Sequence, residues 1–124
     1  MSFYNPNPSY FVYLTNPTLI EVECDTISSQ LSTLNIDHVD FIKIDTQGAE
    51  LEIINGMGAY RPLLLWIEVQ FVSMYKDMPC FTELYSKLYE LGYMICDQNE
   101  FAARQIKSPV EADVLFIPNI LTKK

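Results

Sequence analysis

Glycine, cysteine, histidine and positive charge are all scarce in this chain. Its 124 residues hold four glycines, three cysteines, one histidine and eight lysines or arginines. No glycine-rich loop precedes residues 40–50, and Gly56-Met57-Gly58 follows a helical pattern instead of a strand, so nothing here can cradle phosphates in the usual way. Cys24, Cys80 and Cys96 are odd in number, lie far apart and form no CxxC pair, which excludes a disulfide framework and a zinc centre. Reduced cysteines in a cytoplasmic protein are the simplest reading. A lone His38 in a loop gives no basis for a Ser–His–Asp or Cys–His nucleophile. The eight bases are scattered against 16 acids, for a net charge of −8, so nucleic acid is not an expected partner. No apolar run approaches the roughly 20 residues of a membrane helix, and MSFYNPNPSY at the start lacks the basic and apolar parts of a signal peptide.

Hydrophobic residues make up 49% of the chain, in short separated runs, as expected for one soluble domain spanning residues 1–124. Residues 1–18 read as a loop or extended leading segment broken by Pro6, Pro8 and Pro17, with room for a helical turn at 10–14. Residues 19–23 alternate apolar and acidic side chains and predict a strand with one wet face. Asp25 or Thr26 then caps a helix at 27–34. Residues 39–44 predict a strand, 48–54 a short helix ended by Gly56 and Gly58, and 63–67 a strand apolar on both faces. Helical spacing covers 81–91 and Gly92 closes it, after which strands are expected at 93–96 and 112–117. With no helical pattern between them, the last two strands predict an antiparallel hairpin with a long loop. The fold class is α/β, a mostly parallel sheet with an antiparallel strand near its end.

Three acids follow predicted strands: Asp45, Glu68 and Asp97. In parallel strands all three stand on the carboxyl rim, where open α/β sheets place their ligands. Such a rim can orient a hydroxyl, take its proton or hold a divalent cation, although acids also cap loops and helices there. Glu50 lies in the first turn of its helix, a position that the helix dipole favours for any acid. Gly48 either lets a ligand approach the backbone or simply permits the turn. Lys43 interrupts an apolar strand, and is expected either to pair with a rim acid such as Glu68 or to lay its stem on the sheet with its head in water.

The string VDFIKIDTQGAELEIING, residues 39–56, resembles the signature of the FkbM-type methyltransferases. WIEVQFVSMYKD at 66–77, the helix at 81–93, EADVLF at 111–116 and SFYNPN at 2–7 are similar to further parts of the same pattern. The resemblance implies a Rossmann-like class I methyltransferase sheet and methyl transfer from S-adenosylmethionine to an oxygen nucleophile. The acceptor it implies is a small-molecule hydroxyl compound such as a sugar or lipid. It assigns Asp45 as the base or orienting group, supported by Glu50 and Glu68, with Asp45 and Gly48 beside the cofactor and no metal. The family's strand order runs 3-2-1-4-5-7-6, and this chain supplies strands like 4, 5, 6 and 7. The domain is thus expected to be its C-terminal half, truncated at the N-terminus and without the glycine loop that holds the cofactor. That predicts an exposed apolar sheet edge, inactivity of the chain alone, and a homodimer or an N-terminal partner chain. A non-catalytic module pairing through that edge, and a carboxylate-rich metal-dependent hydrolase, are the competing expectations.

Overall fold

The structure, a computed structural model, describes residues 18–72, 78–101 and 111–122. Thr26 opens helix α1 (Ile27–Thr33), and its hydroxyl accepts the Ser29 N–H at 3.1 Å. Asp25 braces the same turn, accepting from the Thr26 N–H at 2.8 Å and the Ser29 hydroxyl at 2.9 Å. Both candidate caps therefore act together. The helix buries no residue fully, but Ile27 packs against the core and the Ser28 N–H donates to the Gly56 carbonyl at 3.0 Å. Gly58 makes the approach possible: it sits at φ +58°, and a Cβ there would lie 2.9 Å from the Ser28 Cβ.

Strand β1 (Phe41–Ile44) leads through a tight turn into α2 (Glu50–Asn55), and β2 (Leu64–Gln70) returns parallel to β1. Helix α3 (Phe81–Glu90) follows, then β3 (Tyr93–Phe101), β4 (Glu111–Pro118) and a closing 3₁₀ turn (Asn119–Thr122). The sheet order is β1-β2-β4-β3, and β4 runs antiparallel to both its neighbours. The expected α/β class and the antiparallel β3–β4 pairing are present. The sheet is less parallel than expected. Only one of its three pairings is parallel, because β4 inserts between β2 and β3.

Period-2 alternation sorts the strands into two unlike faces. Leu65, Ile67, Val69, Ala112, Val114 and Phe116 are at most 1% exposed and pack with Ile54, Met57, Leu84 and Leu88 of the helical layer. The opposite face carries Phe41, Leu64, Trp66 and Leu115 beside Lys43, Glu68 and Asp113, and no described helix covers it. The reading of β2 as buried on both faces is therefore wrong: Leu65 is fully buried, but Leu64 is 39% exposed. Residues 19–23 form no strand either. Leu19 and Ile20 are 73% and 66% exposed, and no described strand offers them a ladder to join. The suggested turn at 10–14 lies outside the described residues.

Candidate functional site at the carboxyl rim

Strand register builds the site. Ile44 stands abreast of Ile67, so Asp45, the next residue, comes beside Glu68. Across the other edge of β2, Glu68 is abreast of Asp113 and Gln70 of Glu111. Asp45, Glu68 and Asp113 thus form a row over three strands on the uncovered face. Glu68 is not beyond the strand, as its sequence position implied, but inside it, because β2 continues to Gln70. Asp97 likewise lies inside β3, at a bulge, abreast of Leu115 and outside the row. One of its oxygens accepts the N–H of Gln98 at 2.8 Å.

Partial burial raises the Glu68 pKa to about 8, and the charges of Glu111, Asp45 and Asp113 and a hydrogen bond to Asp45 push the same way. A pKa raised to about 8 keeps the proton on Glu68 at neutral pH, where it serves the hydrogen bond to Asp45. Asp45 itself is exposed. The rim thus presents a solvent-facing carboxylate held by a neighbouring carboxylic acid, an arrangement suited to receiving a proton from a hydroxyl.

Glu50 plays a different part. It is 6% exposed, and one oxygen accepts both the N–H and the hydroxyl of Thr46 at 3.0 Å, while the other accepts the N–H of Gly48 at 2.9 Å. Its carboxylate closes the turn that follows Asp45. That turn needs the help, since Gln47 sits at φ 52° and Gly48 at φ 127°, both in positive-φ conformations. Gly48 therefore serves the turn, and its N–H is already committed.

Lys43 does not pair with Glu68. It is exposed, abreast of Trp66, and forms no ion pair among the described residues. An exposed ammonium avoids the desolvation cost of a buried pair. His38 is solvated as expected, 3.8 Å from Asp40 and on the loop before β1. Among the described residues no group of three or more His, Cys, Asp or Glu is placed to hold a metal ion. No helix among them is long and apolar enough to cross a membrane.

Gly48, Glu50, Glu68, Gln70, Cys80 and Phe81 line a cavity of about 10 Å³ at this rim, space for roughly one water molecule. Larger clefts of about 430 and 360 Å³ lie beside Asp37–Val39 and beside Cys24–Ile27, and neither is lined by a residue of the acid row. Asp113, Glu111 and Gln70 are the rim members that sequence reasoning missed. The alternation Glu111-Ala112-Asp113-Val114 did mark the two acids as sharing a face. Only the insertion of β4 beside β2 brings that face to Glu68.

No curated protein and no solved structure matches the chain. The sequence profile of the Methyltransferase FkbM domain matches residues 5–95. That span takes in Asp45, Gly48, Glu50, Glu68 and Gln70, which is most of the rim and the whole turn that Glu50 holds. With nearly three-quarters of its length inside that match, the chain belongs to the FkbM methyltransferase domain family.

Proposed function

We propose that this chain contributes the acceptor side of an S-adenosylmethionine-dependent O-methyltransferase, with Asp45 as the group that receives the hydroxyl proton. The family match carries the methyltransferase assignment. The proton shared between Glu68 and Asp45 supports the assignment to Asp45. The order β1-β2-β4-β3 with β4 reversed is also the order of the last four strands, 4-5-7-6, in the Rossmann-like sheet that the resemblance implies. This supports reading the domain as the C-terminal half of that fold.

The rim suits a sulfonium-bearing cofactor in charge, since Asp45, Glu68, Glu111 and Asp113 gather there. It supplies only part of the surface, because Gly48 has no free N–H to offer and approaches only through its backbone. When bound, the cofactor supplies an electrophilic methyl group. Everything else falls to side chains. Asp45 orients the acceptor hydroxyl and takes its proton, Glu68 fixes the Asp45 carboxylate, and Glu50 holds the turn that sets its direction. The remaining cofactor contacts come from outside these side chains, from a second copy or a partner. Among the described residues the outer edge of β1 is unpaired and the second sheet face uncovered, which favours such an addition. The acceptor is a hydroxyl compound such as a sugar or lipid, and the setting is cytoplasmic.

Calorimetry with S-adenosylmethionine on the purified chain tests the cofactor assignment. Binding supports it, while no binding to the chain or to its assembled form removes it. In the assembled enzyme Asp45→Asn lowers turnover by about 10²–10⁴. An unchanged rate would take the base role from Asp45.

A further inference from the structure

Gln70 carries the one buried side-chain oxygen or nitrogen without a hydrogen-bond partner among the described residues. It is 4% exposed, and its Oε1 is buried without a partner. Its Nε2 makes only a long contact, 3.4 Å, to Glu68 Oε2. An amide oxygen buried without a donor is costly, and native proteins seldom leave one in place without a use for it. The residue lines the same cavity as Gly48, Glu50 and Glu68 and stands abreast of Glu111. Every other polar side chain on the row, at Asp45, Glu68, Glu111 and Asp113, is a carboxyl group. A ligand meeting this surface must therefore bring hydrogen-bond donors, and a negative charge on it would face like charge.

We propose that Gln70 positions the methyl acceptor: its amide oxygen receives a hydrogen bond from an acceptor hydroxyl other than the one whose proton Asp45 takes, and the surrounding acids restrict that acceptor to uncharged or cationic hydroxyl compounds. This rests on the reading of the rim as the acceptor side of an O-methyltransferase and adds the group that holds the substrate and the charge it must not carry. Gln70 takes no proton. It fixes the acceptor oxygen near Asp45 and Glu68, where a small displacement would cost reaction rate. A single trapped water is the competing occupant, since the cavity of about 10 Å³ has room for one.

The test follows the side-chain amide resonances of Gln70 in the nitrogen-labelled full chain, titrated with methyl glucoside and separately with glucose 6-phosphate. The expected result is a saturable shift at Gln70 with methyl glucoside and binding at least roughly tenfold weaker for the phosphate. Gln70→Met should keep or raise Tm, because it removes an unsatisfied oxygen, and should abolish the response at the backbone of Asp45 and Gly48. If the Gln70 resonances stay still, or if Gln70→Met lowers Tm and leaves the sugar response intact, the oxygen serves a structural water and the proposal is overturned. Equal binding of the two sugars overturns the charge restriction. Should Gln70→Met fail to fold, the titration of the unaltered chain still decides. Calorimetry with S-adenosylmethionine on the same sample separates the two readings. Sugar binding with no cofactor binding by the chain or by its assembled form keeps Gln70 as a hydroxyl-binding group and removes the cofactor assignment, and the reverse result does the opposite.

Discussion

The two faces of the sheet are made from alternate residues of the same strands, yet they obey different rules. On the helical face, Leu65, Ile67, Val114 and Phe116 are fully buried against Ile54, Met57 and Leu88. On the other, Phe41 is 50% exposed and Trp66 half-buried, and the acid row runs beside them. The first face holds the domain together through packing. The second holds the acid row, because carboxylates can crowd only where water still reaches some of them.

The contrast breaks most visibly in the core. Phe116→Ala should destabilise the chain by about 3–5 kcal/mol in urea unfolding, as buried aromatic truncations do. A loss under 1 kcal/mol would mean that the helical layer does not carry stability. Next comes Glu50→Gln, which turns one carboxylate oxygen into a donor facing the N–H of Gly48 or Thr46. A loss of about 1–3 kcal/mol is expected, together with weakened activity in the assembled enzyme. Stability without change would free Glu50 for a direct part in the chemistry.

Glu68 sharpens the comparison through pH. Its pKa is raised from 4.5 to about 8, so between those values the folded chain holds a proton that the unfolded chain has released. Stability therefore falls as pH rises through that window, and thermal unfolding scanned from pH 4.5 to 8 should show a declining Tm. Glu68→Gln should flatten the profile. A wild-type profile already flat in that range would place Glu68 outside the coupled row. The smallest effect is expected on the open face: Phe41→Ser should change the stability of the isolated chain by under about 0.5 kcal/mol. It should weaken any self-association or partner binding seen by sedimentation, and a large loss of monomer stability would show that this face is part of the core.

Legibility differed in the same way between elements. The α3 helix was readable because Phe81, Leu84, Leu88 and Leu91 repeat at helical spacing, and its end was marked by Gly92 at φ 87°. The cap at Thr26 was readable because its side chain bonds locally. Residues 19–23 misled because alternation signals a strand only when a partner offers a ladder, and partners are not local. Glu68 and Asp97 were placed beyond their strands because polar residues look like strand ends, whereas both lie within ladders set by β4. Of the two alternatives for Lys43, register does not supply the paired one.

Short-range pattern and local hydrogen bonds were enough for the α/β class, the helices and their caps, the antiparallel final hairpin and the family. The sequence also placed Asp45 at the end of a strand and Glu50 in the first turn of a helix. The long-range pairing set the rest: β4 lies between β2 and β3. Asp45 comes beside Glu68 through the β1–β2 register, and Asp113 and Glu111 join them through the insertion of β4, while burial does most to raise the Glu68 pKa. Charge coupling and desolvation depend on distances between residues far apart in the chain, and strand register is what sets those distances.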